Sequence, residues 1–319
     1  MTSVAGDEGD SPDGGGTIPG SAGARAFLLS GPDPSSIPVL IAVPHAGRTY
    51  SPALIERMRH PQQAALRLED RLVDRLAEAV AAQTGAALLV AEAPRAMIDL
   101  NRAPDDVDWE MFPRGAPDAG GTARAGTAGQ RARSGLGLIP RRLPGLGELW
   151  NRRHERADLD ARIDGIHAPY HECLGVTLEA LRQRWGAALL IDWHSMPSLP
   201  LHYGAPGAEF VLGDRFGASC DGGLVATAFG YFAGQGRRIA HNRPYAGGYV
   251  LARHGNPGAG LHAIQLEIDR ASYLDARLLE PGEGFAELAA LLAGLVMRLA
   301  ETTAKLGRER PENWAEAAE

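Results

Sequence analysis

Short runs that are apolar at almost every position constrain the fold of this chain more than any other feature. Pro38–Val43 (PVLIAV), Ala86–Ala91 (AALLVA) and Ala187–Ile191 (AALLI) lack the alternation of a strand wetted on one face, so each reads as a strand buried on both sides. Leu261–Ile268 is a fourth such strand and carries Glu267, and Ala96–Leu100 reads as a fifth, ending at Asn101-Arg102. Helical patterns separate them. Residues 66–82 place Leu72, Val73, Leu76 and Val80 on one stripe that Gly85 closes. Leu149 to Trp185 reads as a long helical segment broken near Ala168-Pro169, and residues 284–305 form a closing amphipathic helix. Apolar strands alternating with helices predict a mostly parallel or mixed sheet covered on both faces.

With 319 residues, 45% of them hydrophobic, the chain can bury a full core. Its net charge of -7 and the absence of a sustained basic stripe exclude the electrostatic footprint of a nucleic-acid binder, which leaves a small molecule as the expected partner. Two cysteines form neither a disulfide framework nor a CxxC pair. The N-terminus has acids where a signal peptide needs basic residues, and no stretch approaches the roughly 20 apolar residues of a membrane span, so a cytoplasmic protein is expected. Residues 1–24 are Gly, Ser, Asp and Pro rich and read as a disordered tail, residues 25–310 as a single domain and 311–319 as a C-terminal tail. Within the domain, 113–147 reads as a mobile Gly/Arg-rich insertion with Gly135–Arg141 ordered. Its glycines match neither a phosphate loop nor a dinucleotide fingerprint.

In an open α/β sheet, sites gather at strand ends. His45 follows one apolar run, His194 follows another, and Glu267 lies near the end of a third. Each alone reads as a satisfied structural residue; together they resemble a site. Two imidazoles and one carboxylate with an open fourth position make the ligand set of a hydrolytic zinc centre, and a carboxylate outside that set can take the proton of a water. Glu69-Asp70 offers the acidic ligand. Periodicity favours Glu69, and the plainer alternative for both is a pair of acids placed at a helix N-terminus. HExxH, HxxE and GxSxG are all absent, and neither cysteine has a local base, so a serine or cysteine nucleophile is the weaker case. Arg102, beside Asn101, and Arg253, in a glycine-flanked segment, are placed to bind a substrate carboxylate, with Arg48, Arg95 and His254 as lesser candidates. Asp192 is as well placed to orient His194 as to ligate anything.

Pro44-His-Ala-Gly47, Glu69-Asp70, Asp99-Leu-Asn-Arg102, Pro169-Tyr-His171, Asp192-Trp-His-Ser195, Gly247-Gly248, Arg253-His-Gly255 and Gln265-Leu-Glu267 occur in an order that resembles the N-formylglutamate amidohydrolases (deformylases). The resemblance runs from about residue 36 to 298, and that family is distantly similar to the zinc carboxypeptidases and aspartoacylase. It implies a zinc-carboxypeptidase-like, three-layer α/β/α sandwich with a mixed central sheet. It also implies hydrolysis of N-formyl-L-glutamate to L-glutamate and formate, with one Zn2+ per chain. Carried over by residue, it implies His45, Asp70 and His194 as metal ligands, Asn101 and Arg102 as carboxylate binders and Glu267 as general base. The chain departs from the carboxypeptidases in having Arg48 where their HxxE places the acid. Arg253 is the expected partner of the substrate's side-chain carboxylate. The alternatives are an amidohydrolase of another N-acyl amino acid or small peptide, and a non-catalytic protein that binds an acidic ligand. Keeping His45, His194 and Glu267 together speaks against the last, since a sensor needs no general base.

Overall fold

Apolar strands that cannot face water on either side force helices onto both faces of the sheet they form. A computed structural model describes residues 13–32, 35–113, 130–200 and 207–309 and shows how this is done. The first strands are β1 (Asp13–Gly15), β2 (Phe27–Ser30), β3 (Val39–Val43) and β4 (Ala87–Ala91). A small hairpin, β5 (Arg142–Leu143) and β6 (Gly147–Glu148), stands apart. The later strands are β7 (Ala188–Met196), β8 (Phe210–Gly213), β9 (Ile239–His241) and β10 (Leu261–Asp269). Eight of them join in the order β1-β2-β4-β3-β7-β10-β8-β9. The pairs β4-β3, β3-β7, β7-β10 and β8-β9 are parallel and the others antiparallel, so the sheet is mixed.

The helices are α1 (Pro52–Arg57), α2 (Pro61–Leu68), α3 (Val73–Thr84), α4 (Gln130–Arg133), α5 (Arg156–Arg162), α6 (Ala168–Trp185), α7 (Gly222–Gly234), α8 (Tyr249–His254) and α9 (Phe285–Glu309). Successive strand residues point to opposite faces. On β3, Val39, Ile41 and Val43 join a core formed with α3, α7 and α9, while Leu40 and Ala42 join a second core with α6. The molecule is therefore a three-layer α/β/α sandwich. Among the described residues, no helix is long and apolar enough to cross a membrane.

Several segments differ from the sequence reading. The helix expected over 66–82 is two helices, broken at Glu69–Leu72, where Leu72 takes the left-handed conformation (φ 56°). Residues 96–100 form turns rather than a strand: Asp99 accepts from the Asn101 backbone N–H (2.9 Å), and its own N–H donates to the Leu138 carbonyl (2.7 Å). The long helix starts at Arg156 and not at Leu149, and passes through one π-helical turn, Ile163–His167, before Pro169. Its proline, Pro169, directly follows that wider turn, at the second residue of α6. Order also begins before residue 24, since β1 pairs with β2 and Ile18 is fully buried. Glycine-rich β1 gives no apolar signal because backbone bonds alone place it. Of the expected insertion, residues 114–129 lie outside the described residues, and Leu138 and Ile139 from the remainder are buried in the core. Residues 1–12 and 310–319 likewise lie outside the described residues.

Candidate active site

β7 and β10 each change character mainly on one face. On β7, Leu189, Ile191 and Trp193 stay in the core under α3 and α9, while the opposite face passes from Ala188 and Leu190 to Asp192 and His194. On β10, Ile264, Leu266 and Ile268 are core, and Ala263 gives way to Gln265 and Glu267. The parallel register sets Gln265 beside Asp192 and Glu267 beside His194. A period of two thus delivers four polar side chains as one buried patch at the C-terminal ends of both strands. His194 lies within β7, which continues to Met196, and not in a loop after it.

His45 reaches the patch from the turn after β3. Asp70 comes from the break between α2 and α3, held there by its backbone N–H on the His45 carbonyl (3.0 Å). The His194 Nδ1 lies 3.1 Å from the His45 Nδ1 and 3.1 Å from the Asp70 Oδ2, which is 3.6 Å from the His45 Nδ1. On the far side of each ring, Nε2 donates to a carboxylate, Asp99 for His45 (2.8 Å) and Asp192 for His194 (2.9 Å). Those two bonds set the tautomers, so each ring, when neutral, turns a lone pair inward. Two lone pairs and a carboxylate oxygen facing one point are relieved only by a cation. Protonation shows the same preference. Burial opposes charge on His194, yet Asp192 and Asp70 lift its pKa well above the usual range. Burial likewise pushes Asp70 up, but hydrogen bonds to His194 and His45 hold it below the usual carboxylate range. The three residues form a group that could hold a metal ion, and the donor set with its carboxylate-backed imidazoles fits zinc chemistry.

The two acids left open by the sequence are separated here. Asp70 enters the cluster, whereas Glu69 turns its carboxylate to Arg71 (3.5 Å). Gln265 donates to the Glu267 Oε1 (2.8 Å) and accepts from the Asn101 Nδ2 (3.3 Å), and the Asn101 Oδ1 accepts from the Val250 N–H (3.1 Å) at the start of α8. These groups open onto a cavity of about 380 Å³. Arg102 lines it, anchored through Nε to the Leu136 carbonyl (3.0 Å). Arg95 also lines it, with Nε and Nη2 both on the Asp99 Oδ2 (3.0 and 2.9 Å), so that Asp99 bridges Arg95 and His45.

Other expected residues lie elsewhere. Arg253 is exposed on α8, bonded to the Tyr249 hydroxyl (2.9 Å), and is not part of the cavity wall. Arg48 is held by Asp74, and His254 pairs with His171. In the place expected of Arg253, the cavity has Arg67, Arg131 and Arg270, none of which has a carboxylate partner among the described residues. No local pattern marks these three. The switch to polar residues on one face of an otherwise apolar strand does mark Asp192 and Gln265.

A profile of the N-formylglutamate amidohydrolase family matches residues 37–274. The chain belongs to the N-formylglutamate amidohydrolase family. It is 30% identical over 286 residues to an N-formylglutamate deformylase of Pseudomonas aeruginosa, which covers 86% of this chain and 95% of that one. With an N-formylglutamate deformylase of Pseudomonas putida the identity is 33% over 245 residues, 75% of this chain and 82% of that one. A crystal structure of N-formylglutamate amidohydrolase from Ralstonia eutropha superposes with a TM-score of 0.77 at 33% identity, covering 88% of this chain and 99% of that one. The span matching the N-formylglutamate amidohydrolase profile contains the His-Asp-His group, Glu267 and all the cavity arginines named above.

Proposed function

We propose that this enzyme hydrolyses N-formyl-L-glutamate to L-glutamate and formate with one zinc ion held by His45, Asp70 and His194. What carries this reading is one cavity that joins a three-donor centre and a buried Glu267 to arginines of which Arg67, Arg131 and Arg270 have no carboxylate partner among the described residues. When bound, zinc supplies Lewis acidity that lowers the pKa of a water and polarises a carbonyl. Glu267 takes the proton of the attacking water and returns it to the amine as the C–N bond breaks. Gln265, donating to Oε1, fixes which Glu267 oxygen remains for that proton. Arg102, with Asn101 behind it, binds the α-carboxylate, and Arg131 and Arg270 supply positive charge for the side-chain carboxylate.

Elemental analysis and a hydrolysis panel of N-formylglutamate, N-formylglutamine, N-formylaspartate and N-acetylglutamate test the reading. About one zinc per chain is expected, retained in Glu69→Gln and lost in Asp70→Asn. Equal metal in wild type and a His45→Ala, His194→Ala double variant would remove the centre. N-formylglutamate should show the highest kcat/KM. Arg270→Ala, and more weakly Arg131→Ala at its exposed position, should cut its preference over N-formylglutamine. If Arg253→Ala alone lowers that ratio, the substrate extends beyond the cavity to α8, and if N-acetylglutamate is turned over faster, the enzyme is a deacylase of a different acyl group.

A further inference from the structure

Behind the carboxylate-binding segment lies a second histidine cluster that the proposed chemistry does not use. His167, at the end of the π-helical turn, and His171, one turn further on, sit on one face of the helix against His254 of α8. All three are buried, with ring centroids 4.4 Å apart for His167 and His171 and 5.3 Å for His171 and His254. Spacing of i and i+4 on a helix with a third imidazole opposite invites a metal reading, but the ring nitrogens do not converge. His167 Nε2 donates to the carbonyl of Arg102 (2.9 Å), and His171 Nε2 donates to the carbonyl of Leu100 (3.0 Å). A carbonyl only accepts, so both protons are assigned, and His171 Nδ1 must then accept from His254 Nε2 (3.0 Å). Burial pushes His171 down to about 2 and His254 to about 4 and lowers His167 as well, so the cluster stays neutral and its donor pattern holds.

We infer that His167 and His171 are positioning residues: together they clamp the two carbonyls flanking Asn101 and so set the direction of Asn101 and Arg102 into the cavity. Residues 99–102 form turns and have no sheet ladder to fix them. Their local bonds run from the Asn101 and Arg102 N–H groups back to Asp99, and the Asn101 side chain is taken by Val250 and Gln265. The Asp99 N–H is on the Leu138 carbonyl and the Arg102 guanidinium on the Leu136 and Asn101 carbonyls, which leaves the carbonyls of Leu100 and Arg102, and a histidine holds each. The inference about specificity rests on the reading above that Arg102 binds the substrate's α-carboxylate; the clamp itself does not.

The test compares His167→Leu and His171→Leu with His167→Gln and His171→Gln, whose amide N–H can replace the lost Nε2 donor. Two readouts are taken on the whole enzyme. The first is the ratio of kcat/KM for N-formylglutamate to that for its α-amide, which partial unfolding leaves unchanged because it lowers both alike. The ratio should fall about ten-fold or more in the leucine variants and recover in the glutamine variants. The second is hydrogen exchange of the peptide spanning residues 99–103, which should quicken with leucine and return with glutamine. If leucine leaves the exchange unchanged, or glutamine fails to restore it, the clamp is wrong. If the wild type shows no preference for the acid over the amide, the carboxylate reading of Arg102 fails, and exchange alone then decides the clamp. Altered exchange with an unchanged ratio in an acid-selective wild type would overturn the role in specificity.

Discussion

Burial pushes the Glu267 carboxyl up to about 7, with the Asp70 charge adding to the rise and His194 opposing it. That places the group where it can both take and release a proton near neutral pH. Glu267→Gln keeps the shape and the bond from Gln265 but removes the proton acceptor, so metal content should hold while kcat falls about 100-fold or more. Loss of zinc in that variant, read by elemental analysis, would move Glu267 into the ligand shell. At this scale the sequence was legible where chemistry restricts the choice of residue. A histidine after an apolar run, a second one, and a glutamate on a third have few reasons to coincide. Arginine carries no such restriction: Arg253 in its glycine-flanked segment reads like a cavity residue, while nothing in the sequence singles out Arg131 or Arg270. Only the three-dimensional path, which turns Arg253 onto Tyr249 and outward, tells them apart.

Among elements, the uniformly apolar strands β3 and β4 and the apolar first half of β7 were readable because burial on both faces leaves a direct mark on composition. The break between α2 and α3 was not. Glu69–Leu72 contains neither glycine nor proline, and the left-handed Leu72 costs about 1 kcal/mol that local sequence does not offset. The bond from the Asp70 N–H to the His45 carbonyl helps hold the break, and that contact is remote in sequence. Gly248 at the start of α8 shows the same dependence on a distant partner. Its φ of -114° is ordinary, but a Cβ there would overlap the Asn101 Oδ1. Gly248→Ala should therefore displace Asn101 and lower kcat/KM by about 10- to 100-fold, with little change in melting temperature. Steady-state kinetics beside thermal unfolding checks this, and a loss of stability matching the loss of activity would count against it.

For the whole molecule, the two cores on either side of the sheet leave several imidazoles dry. His154 is fully buried, and burial together with Arg162 and Arg57 pushes its pKa down to about 3. Between about pH 6.5 and 3 the unfolded chain protonates this residue and the folded chain does not. Stability should accordingly decline as pH falls through that window, by about 1.4 kcal/mol per pH unit for each such group. Urea unfolding of wild type and His154→Gln at pH 7, 6 and 5 should show a shallower decline in the variant, and parallel lines would refute the assignment. The placement of the three donors has a kinetic consequence as well. His45 and Asp70 belong to the first quarter of the chain, while His194 arrives 124 residues after Asp70, on a strand that needs β3 on one side and β10 on the other. A nascent chain offers two donors at most until the sheet closes around β7, and closing loops of that length is slow. If the proposed centre binds zinc, capture would thus be a late event in the life of each molecule, and a refolding population supplied with zinc should acquire it only as β10 docks.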